Sequence, residues 1–216
     1  MNDQELVANV VDELFWDPKV DSEAIAVTAE DGVVTVRGTV GSFRQKREVR
    51  KAAERVWGVV SVTNELEVEL MGDQRREDAD LRGDVLQALM LDSLIPASVD
   101  VWVDHGLVGL TGIVDWQHQR DEAEFIAGNV IGVLGVVNDI DLSDTTPSPD
   151  DVEKKIKKAF TRNAKLDAAD LAVWTSDGTV TLSGTVRSWD ERDAAVAAAW
   201  AAPGVKVVDD LLTVAY

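Results

Sequence analysis

One pattern occurs three times along the 216-residue chain and limits what it can fold into. It runs Ala24-Ile-Ala-Val-Thr-Ala-Glu-Asp-Gly-Val-Val-Thr-Val-Arg-Gly-Thr-Val40, and it returns over residues 99–114 and 171–186. Each copy alternates apolar and polar residues, turns on a residue–glycine pair, alternates again and closes on Gly-(Thr/Ile)-Val. Alternation of period two marks a strand. A two-residue turn carrying glycine marks a tight hairpin, because glycine accepts the positive φ that such turns require. The turn glycines Gly32, Gly106 and Gly178, the closing glycines Gly38, Gly112 and Gly184, and the downstream Gly58, Gly132 and Gly204 all step by 74 and then 72 residues. Three sets on one spacing define a tandem array of three homologous domains. They are assigned to residues 1–70, 78–142 and 149–216, with polar linkers at 71–77 and 143–148.

Around each hairpin the apolar period changes to that of a helix. Leu6, Val7, Val10, Val11 and Leu14 share one helical face, with Asn2 or Asp3 as cap and Asp17-Pro18 as stop. A second helix is expected from Ser42 to Trp57, burying Val49, Ala52, Ala53 and Val56 and ending on Gly58 as its C′ residue. Val60, Val62, Asn64, Leu66 and Val68 then alternate as a strand. In the second copy, Leu81, Val85 and Leu89 mark a first helix that breaks near Pro96. Its second helix is expected over about 116–130. In the third copy Ser148 is the expected cap and Pro149 the first helical residue, and Val152, Ile156 and Phe160 are the apolar face. A helix over 194–202 stopped by Pro203-Gly204 and a strand over 205–214 complete it. The fold class is therefore α+β. Each domain reads α-β-β-α-β, a three-stranded sheet with two helices on one face. The last strand follows a helical crossover and should run parallel to the second hairpin strand, with its neighbour left open.

Composition narrows function. The chain has no cysteine, which removes disulfides, thiolate metal sites and cysteine nucleophiles. Net charge is −19 and uneven. Residues 71–146 carry 15 acidic and 4 basic side chains, against 14 and 8 in residues 1–70 and 11 and 9 in residues 147–216. A field of that sign repels nucleic acid. No stretch has the ~18 consecutive apolar residues of a membrane span. The acidic N-terminus lacks the pattern of a signal peptide, so the expected location is cytoplasmic, or periplasmic if a leader has been removed.

With the copies aligned, a family pattern is legible. Asp17-Pro-Lys-Val-Asp21, Ile25-x-Val27, the stretch from Asp31 to Val40, and Gly58-Val-Val-x-Val-x-Asn-Glu-Leu66 together resemble the BON (bacterial OsmY and nodulation) domain. The middle and last copies add Val114-Asp-Trp-Gln-His-Gln-Arg120 and Val186-Arg-Ser-Trp-Asp-Glu-Arg192, reminiscent of the three-copy bacterial members. The resemblance implies the same α-β-β-α-β fold and an osmotic or envelope-stress setting. Family members are associated with phospholipid surfaces and, in a branch with an extra peptidoglycan-type module, with potassium. The matching glycines and valines carry fold rather than chemistry.

Catalytic signals are sparse. No Ser/His/Asp grouping, phosphate-binding loop or His-Glu-x-x-His is present, so no enzyme is expected. His105 takes the turn place of Asp31 and Asp177, and His118 opens a helix, so neither is read as a metal ligand and no metal site is expected. Arg44, Arg47, Lys51 and Arg55 form a basic stripe on the second helix of the first copy, suited to an anionic phospholipid surface or an acidic protein. The equivalent helix of the second copy carries Asp121, Glu122 and Glu124, so the two could instead dock on each other. Lys154, Lys155, Lys157, Lys158 and Arg162 form a second basic run, read as a solvated face. Trp102 and Trp174 follow the core-type Val101 and Val173 and so point to the sheet face bare of helices, as interdomain or partner contacts. Trp16, beside Phe15, is assigned to local core packing, with a membrane interface as its alternative. Trp57, Trp116, Trp189 and Trp200 are assigned to core or cap packing. The expected function is that of a non-catalytic binding or scaffold protein without cofactor. The alternatives are a sensor that binds K+ through backbone carbonyls, at a site the sequence does not mark, and a self-associating structural protein.

Overall fold

The structure, a computed structural model, describes residues 2–70, 72, 74–144 and 149–215. The proposed cap Ser148 and parts of both linkers lie outside the described residues. Each copy has the expected order. The first is α1 (Asp3–Trp16), β1 (Ile25–Glu30), β2 (Val33–Val40), α2 (Phe43–Glu54) and β3 (Ser61–Val68). The second is α3 (Asp78–Met90), β4 (Asp100–Asp104), β5 (Leu107–Val114), α4 (Gln117–Ala127) and β6 (Gly135–Leu142). The third is α5 (Pro149–Arg162), a short 3-10 turn, β7 (Leu171–Ser176), β8 (Thr179–Val186), α6 (Trp189–Trp200) and β9 (Val207–Val214). By compactness the chain divides into a unit of residues 1–112 with 121–140 and a unit of residues 113–120 with 141–216.

The hairpins turn as the glycines require. Asp31, His105 and Asp177 have φ of 49°, 50° and 48°, and the glycines after them have 80°, 79° and 81°. Two successive positive φ values make a type I′ turn, whose twist matches that of paired strands. The closing glycines serve a different purpose. Gly38, Gly112 and Gly184 have φ of 123°, 133° and 132°, and a Cβ on them would stand 1.9, 2.2 and 2.0 Å from the carbonyl oxygens of Ala24, Ser98 and Asp170. The first strand of each copy is thus entered across a bare backbone.

Each sheet places the second hairpin strand in the middle, in the orders β1-β2-β3, β4-β5-β6 and β7-β8-β9. β3 lies parallel to β2, with Val34 opposite Val62, and β9 lies parallel to β8. The neighbour that sequence left open is therefore the central strand. Its docking is repeated: the amides of Val60, Leu134 and Lys206 donate to the carbonyls of Gly32, Gly106 and Gly178 at 2.8, 2.9 and 2.8 Å.

The second helices of the first two copies end earlier than expected, and that of the third starts five residues earlier and ends two earlier. α2 stops at Glu54, α4 at Ala127 and α6 at Trp200, so Gly58 is not the C′ residue of its helix. The chain instead tightens into i→i+3 bonds, from Val56 to Ala53 and from Val59 to Val56, repeated from Val130 to Ala127 and Val133 to Val130. The positive-φ glycines sit within this connection to the last strand. α3 likewise ends at Met90, well before Pro96.

The helix faces supply the cores. Leu6, Val10 and Leu14 of α1 and Val49, Ala52 and Ala53 of α2 pack on Val34, Val36, Val40 and Leu66. Val152, Ile156 and Phe160 do the same in the third copy against Val173, Val180, Leu182 and Leu212. Each fully buried Val, Leu or Phe contributes roughly 1.5–3 kcal/mol relative to exposure. Of the two caps the sequence allowed, Asn2 is the one used, in a capping box with Glu5.

Gly38→Ala should destabilise the first repeat by about 3 kcal/mol or more in urea unfolding, since the new methyl meets backbone at a φ that only glycine adopts readily. Gly41→Ala, where a Cβ meets nothing within 4 Å, should stay within about 0.5 kcal/mol. Equal effects would contradict the role given to the closing glycine.

Candidate functional site

The basic stripe on α2 does not remain a single surface. Arg44 and Lys51 are exposed, whereas Arg47 is drawn into a contact between the first two repeats. Its guanidinium lies 5.5 Å from the Phe43 ring centre and 5.1 Å from that of Phe125 on α4. It donates to Asn129 Oδ1 at 2.8 Å and to the Phe125 carbonyl at 3.4 Å. Gly128 admits this approach, because a Cβ there would come within 2.9 Å of Phe43 and 3.0 Å of Arg47. Burial pulls the Arg47 guanidinium below its ordinary pKa, with Glu124 and Glu48 opposing. The sequence raised docking of the first two repeats as an alternative, and the contact at this residue is made with Phe125 and Asn129 rather than with the acidic side chains named for it.

Arg55 bridges the ends of α1 and α2. It donates to Glu13 at 2.8 Å and to Asp17 at 2.7 Å. Asp17 is nearly buried, and its carboxyl is held below the usual range by the Lys19 backbone N–H and then by Arg55. Sequence reading missed Asp17 as a buried charge, and also Glu48 and Glu191. Glu48 pairs with Lys19 at 3.2 Å, while Glu191 accepts the amides of Asp167 and Arg187, both at 2.8 Å. Only Glu191 had a readable signal, the Ser188-x-x-Glu191 spacing of a capping box, although its carboxylate takes the amide of Arg187 rather than that of Ser188.

The aromatic assignments change most. Phe15 is 71% exposed, Trp16 77% and Trp57 59%, so none of them is a core residue. The Phe15 and Trp16 rings meet edge to face, 5.7 Å apart. Phe15 and Trp16 immediately precede Asp17, and Trp57 lies two residues beyond Arg55. The Arg55–Asp17 pair thereby joins the two chain segments that carry these three exposed aromatic residues. Trp116 is also partly exposed and stacks near His118, and Trp189 lies beneath the Arg192 guanidinium at 4.7 Å.

Trp102 and Trp174 are 39% and 55% exposed on the helix-free sheet faces. Trp102 lies across Gly109, its partner in register on β5, where a Cβ would fall 1.8 Å from the indole. This glycine was the readable signal for that packing. Trp174 stands opposite Thr181. On α5, Lys154, Lys155, Lys158 and Arg162 are exposed, and Lys157 pairs with Glu153 at 2.5 Å.

Asp78, Asp104 and His105 bring carboxylate and imidazole atoms within 4.8 Å of one another, the group among the described residues best able to approach a cation. Their hydrogen bonds give them another use. Asp78 accepts the backbone amides of His105 at 2.9 Å and Gly106 at 3.0 Å, which holds it below the ordinary carboxylate range and ties the start of α3 to the hairpin tip. Asp104 raises the exposed His105 imidazole through a hydrogen bond to Nδ1. No described helix is long and apolar enough to cross a membrane.

Arg47→Ala should cost about 1–2 kcal/mol in thermal or urea unfolding, and Arg47→Lys should recover less than half, since an ammonium cannot stack and donate as the planar guanidinium does. Full recovery by lysine would contradict the clamp. Asp17 sets an acid limit on stability. Its folded pKa is depressed, so its contribution is complete above the unfolded value of about 3.9 and is lost as pH falls through the lower folded value. Asp17→Asn should therefore lower stability at neutral pH by a margin that narrows in acid; a constant margin would contradict the assignment.

Comparison with known proteins agrees with this geometry. The BON domain model matches three times, at residues 2–69, 77–144 and 148–216. The chain is 34% identical over 145 residues to Osmotically-inducible protein Y of Escherichia coli (strain K12), covering 65% of this chain and 72% of that protein. Solved structures of CdsD, a structural protein of the type III secretion system of Chlamydia trachomatis, align at 14% identity over 98% of this chain and 92% of theirs with a TM-score of 0.29. Its C-terminal domain aligns at 13% identity over 100% of both chains with a TM-score of 0.28. Three matches spanning nearly every residue, on three copies of one α-β-β-α-β fold, place the chain in the BON domain family.

Proposed function

We propose that the chain is a non-catalytic attachment protein of osmotic-stress physiology that holds to an anionic phospholipid surface through its first repeat. The stress setting follows from the likeness to Osmotically-inducible protein Y. The observation that supports the surface is the group of exposed aromatic residues Phe15, Trp16 and Trp57, with exposed Lys51 about one turn before Arg55 and Arg44 two turns further back on the same helix. Aromatic rings settle at the headgroup level of a bilayer, where an apolar body and a polar edge are both accommodated. Each Lys or Arg brought near an anionic surface adds about 1 kcal/mol, within the Debye length.

The net charge of −19 repels the same surface. Repeat 1 can approach it through the exposed basic residues of α2 together with its exposed aromatic side chains, whose attraction salt does not screen. Arg47 and Arg55, which the sequence placed in the same stripe, are engaged by Asn129 and by Glu13 and Asp17, and Arg55 stays exposed while it makes those pairs. Three linked repeats would raise the effective concentration of any further weak contact.

Flotation with phosphatidylglycerol vesicles and with neutral phosphatidylcholine vesicles, at low and physiological salt, tests the reading. The expected result is flotation with the anionic vesicles alone, weakened by salt, reduced by Arg44→Glu with Lys51→Glu and abolished by Trp16→Ala with Trp57→Ala. Absence of flotation by the wild-type chain in every condition would contradict it. Loss on charge reversal with no effect of the tryptophan changes would point to an acidic protein partner instead.

A further inference from the structure

The third repeat carries a charged surface that the lipid reading does not use. On α5 the buried residues Val152, Ile156 and Phe160 recur every four positions, and Lys154, Lys158 and Arg162 recur with the same step on the opposite side. All three cations are exposed and have no carboxylate partner among the described residues, and Lys155 stands beside them. A solvated helix in a chain of net −19 would be expected to carry acids on this side. On α3 the buried Leu81, Val85 and Leu89 leave Asp80 and Asp84 exposed along one flank, and the cap residue Glu77 extends the row. These carboxylates also lack a cationic partner among the described residues. At about 1.5 Å of rise per residue, the basic row is ~12 Å long and the acidic row ~10 Å. The rows match in length and are opposite in charge. The acidic one belongs to the most negative third of the chain, where 15 acids face 4 bases, and the basic one to the third nearest neutrality.

We propose that α5 of one copy docks on α3 of a second copy, through Lys154, Lys158 and Arg162 against Glu77, Asp80 and Asp84. The two surfaces differ, so the contact is heterologous and each copy keeps one free surface of each kind; association can continue beyond a dimer unless the rotation closes a ring. Exposed ion pairs are individually weak, so the contact is a reversible one that forms at high protein concentration. Salt acts on it in two ways. The long-range repulsion between two negative chains fades once the Debye length falls to about 10 Å, near 0.1 M, while pairs in contact persist to higher salt. Association should therefore be strongest at moderate ionic strength and disappear in concentrated salt.

Sedimentation equilibrium of the full chain over a concentration series tests this. Two variants are used, Lys154→Glu/Lys158→Glu/Arg162→Glu and Glu77→Lys/Asp80→Lys/Asp84→Lys, each checked for an unchanged circular dichroism spectrum. The wild type should gain mass with concentration, each variant alone should stay monomeric, and an equimolar mixture of the two should regain association, because only the mixture offers opposite rows. A wild-type chain that is monomeric at every concentration would overturn the proposal. So would association that ignores both reversals. A monomeric chain whose α5 variant loses flotation with phosphatidylglycerol vesicles would assign the row to a membrane, which also overturns it. The vesicle experiment on Trp16 and Trp57 concerns other residues, so failure of either reading is recognised independently.

Discussion

Each repeat depends on a hydrogen bond at the tip of its hairpin. The glycine that makes the turn also offers its carbonyl to the amide of the residue just before the last strand, at 2.8–2.9 Å in all three copies. That bond joins the strand arriving from the second helix to the hairpin, and pairing then runs in register from Val33–Ser61 to Val40–Val68 in the first repeat. The tip must be sharp, hence a residue at φ near 50° and a glycine near 80°. Space must also remain beneath it: a Cβ on Gly32 would lie 2.8 Å from the Val60 side chain and 3.1 Å from the Gly58 carbonyl. Two glycines far apart in sequence are needed at one junction. This is why they recur on one spacing.

The recurrent residues build the fold, and the surfaces are carried by residues that differ between copies. The second helices show this most clearly. α2 is rich in Arg and Lys, α4 presents Phe125 and is followed at once by Gly128 and Asn129, and α6 is rich in alanine. Arg47 and its neighbours convert the first difference into a contact between repeats 1 and 2, combining stacking with two hydrogen bonds. A position constant in role shows the same division of labour. Asn64, Asn138 and Asp210 each accept an amide two residues on in the last strand, while their other contacts follow the copy: the Lys46 carbonyl, Glu124, and Arg192 at 2.8 Å.

The strands, their turns and the buried helix faces were legible because each depends on residues within a few positions of one another. Asp31-Gly32 specifies its turn locally, and Leu6, Val10 and Leu14 specify a face. Helix ends were read too long because the i→i+3 bonds past Glu54 leave no residue signature distinct from the helix itself. The stripe on α2 was visible as a periodicity, yet its division was not. Arg47 meets partners 78 and 82 positions away, and Arg55 meets Glu13 and Asp17 at 42 and 38. Exposure of Trp16 and Trp57 was misjudged for a related reason. Residues just beyond a helix's last buried turn have no periodic partner to reveal which way they face. The likeness between repeats identified the family, but conveyed little about a surface that sets the copies apart.

The account holds that the hairpin tip fastens the last strand in every repeat, and native-state amide hydrogen exchange measures this directly. The amides of Val60, Leu134 and Lys206 sit outside the regular ladders, in connections where open backbone would exchange freely. If the tip carbonyls hold them, they exchange as slowly as the amides of the adjoining central strands, opening only when the repeat unfolds. Exchange at the rate of the exposed loop amides, with the strands still protected, would show that the sheet forms without this bond and would contradict the account.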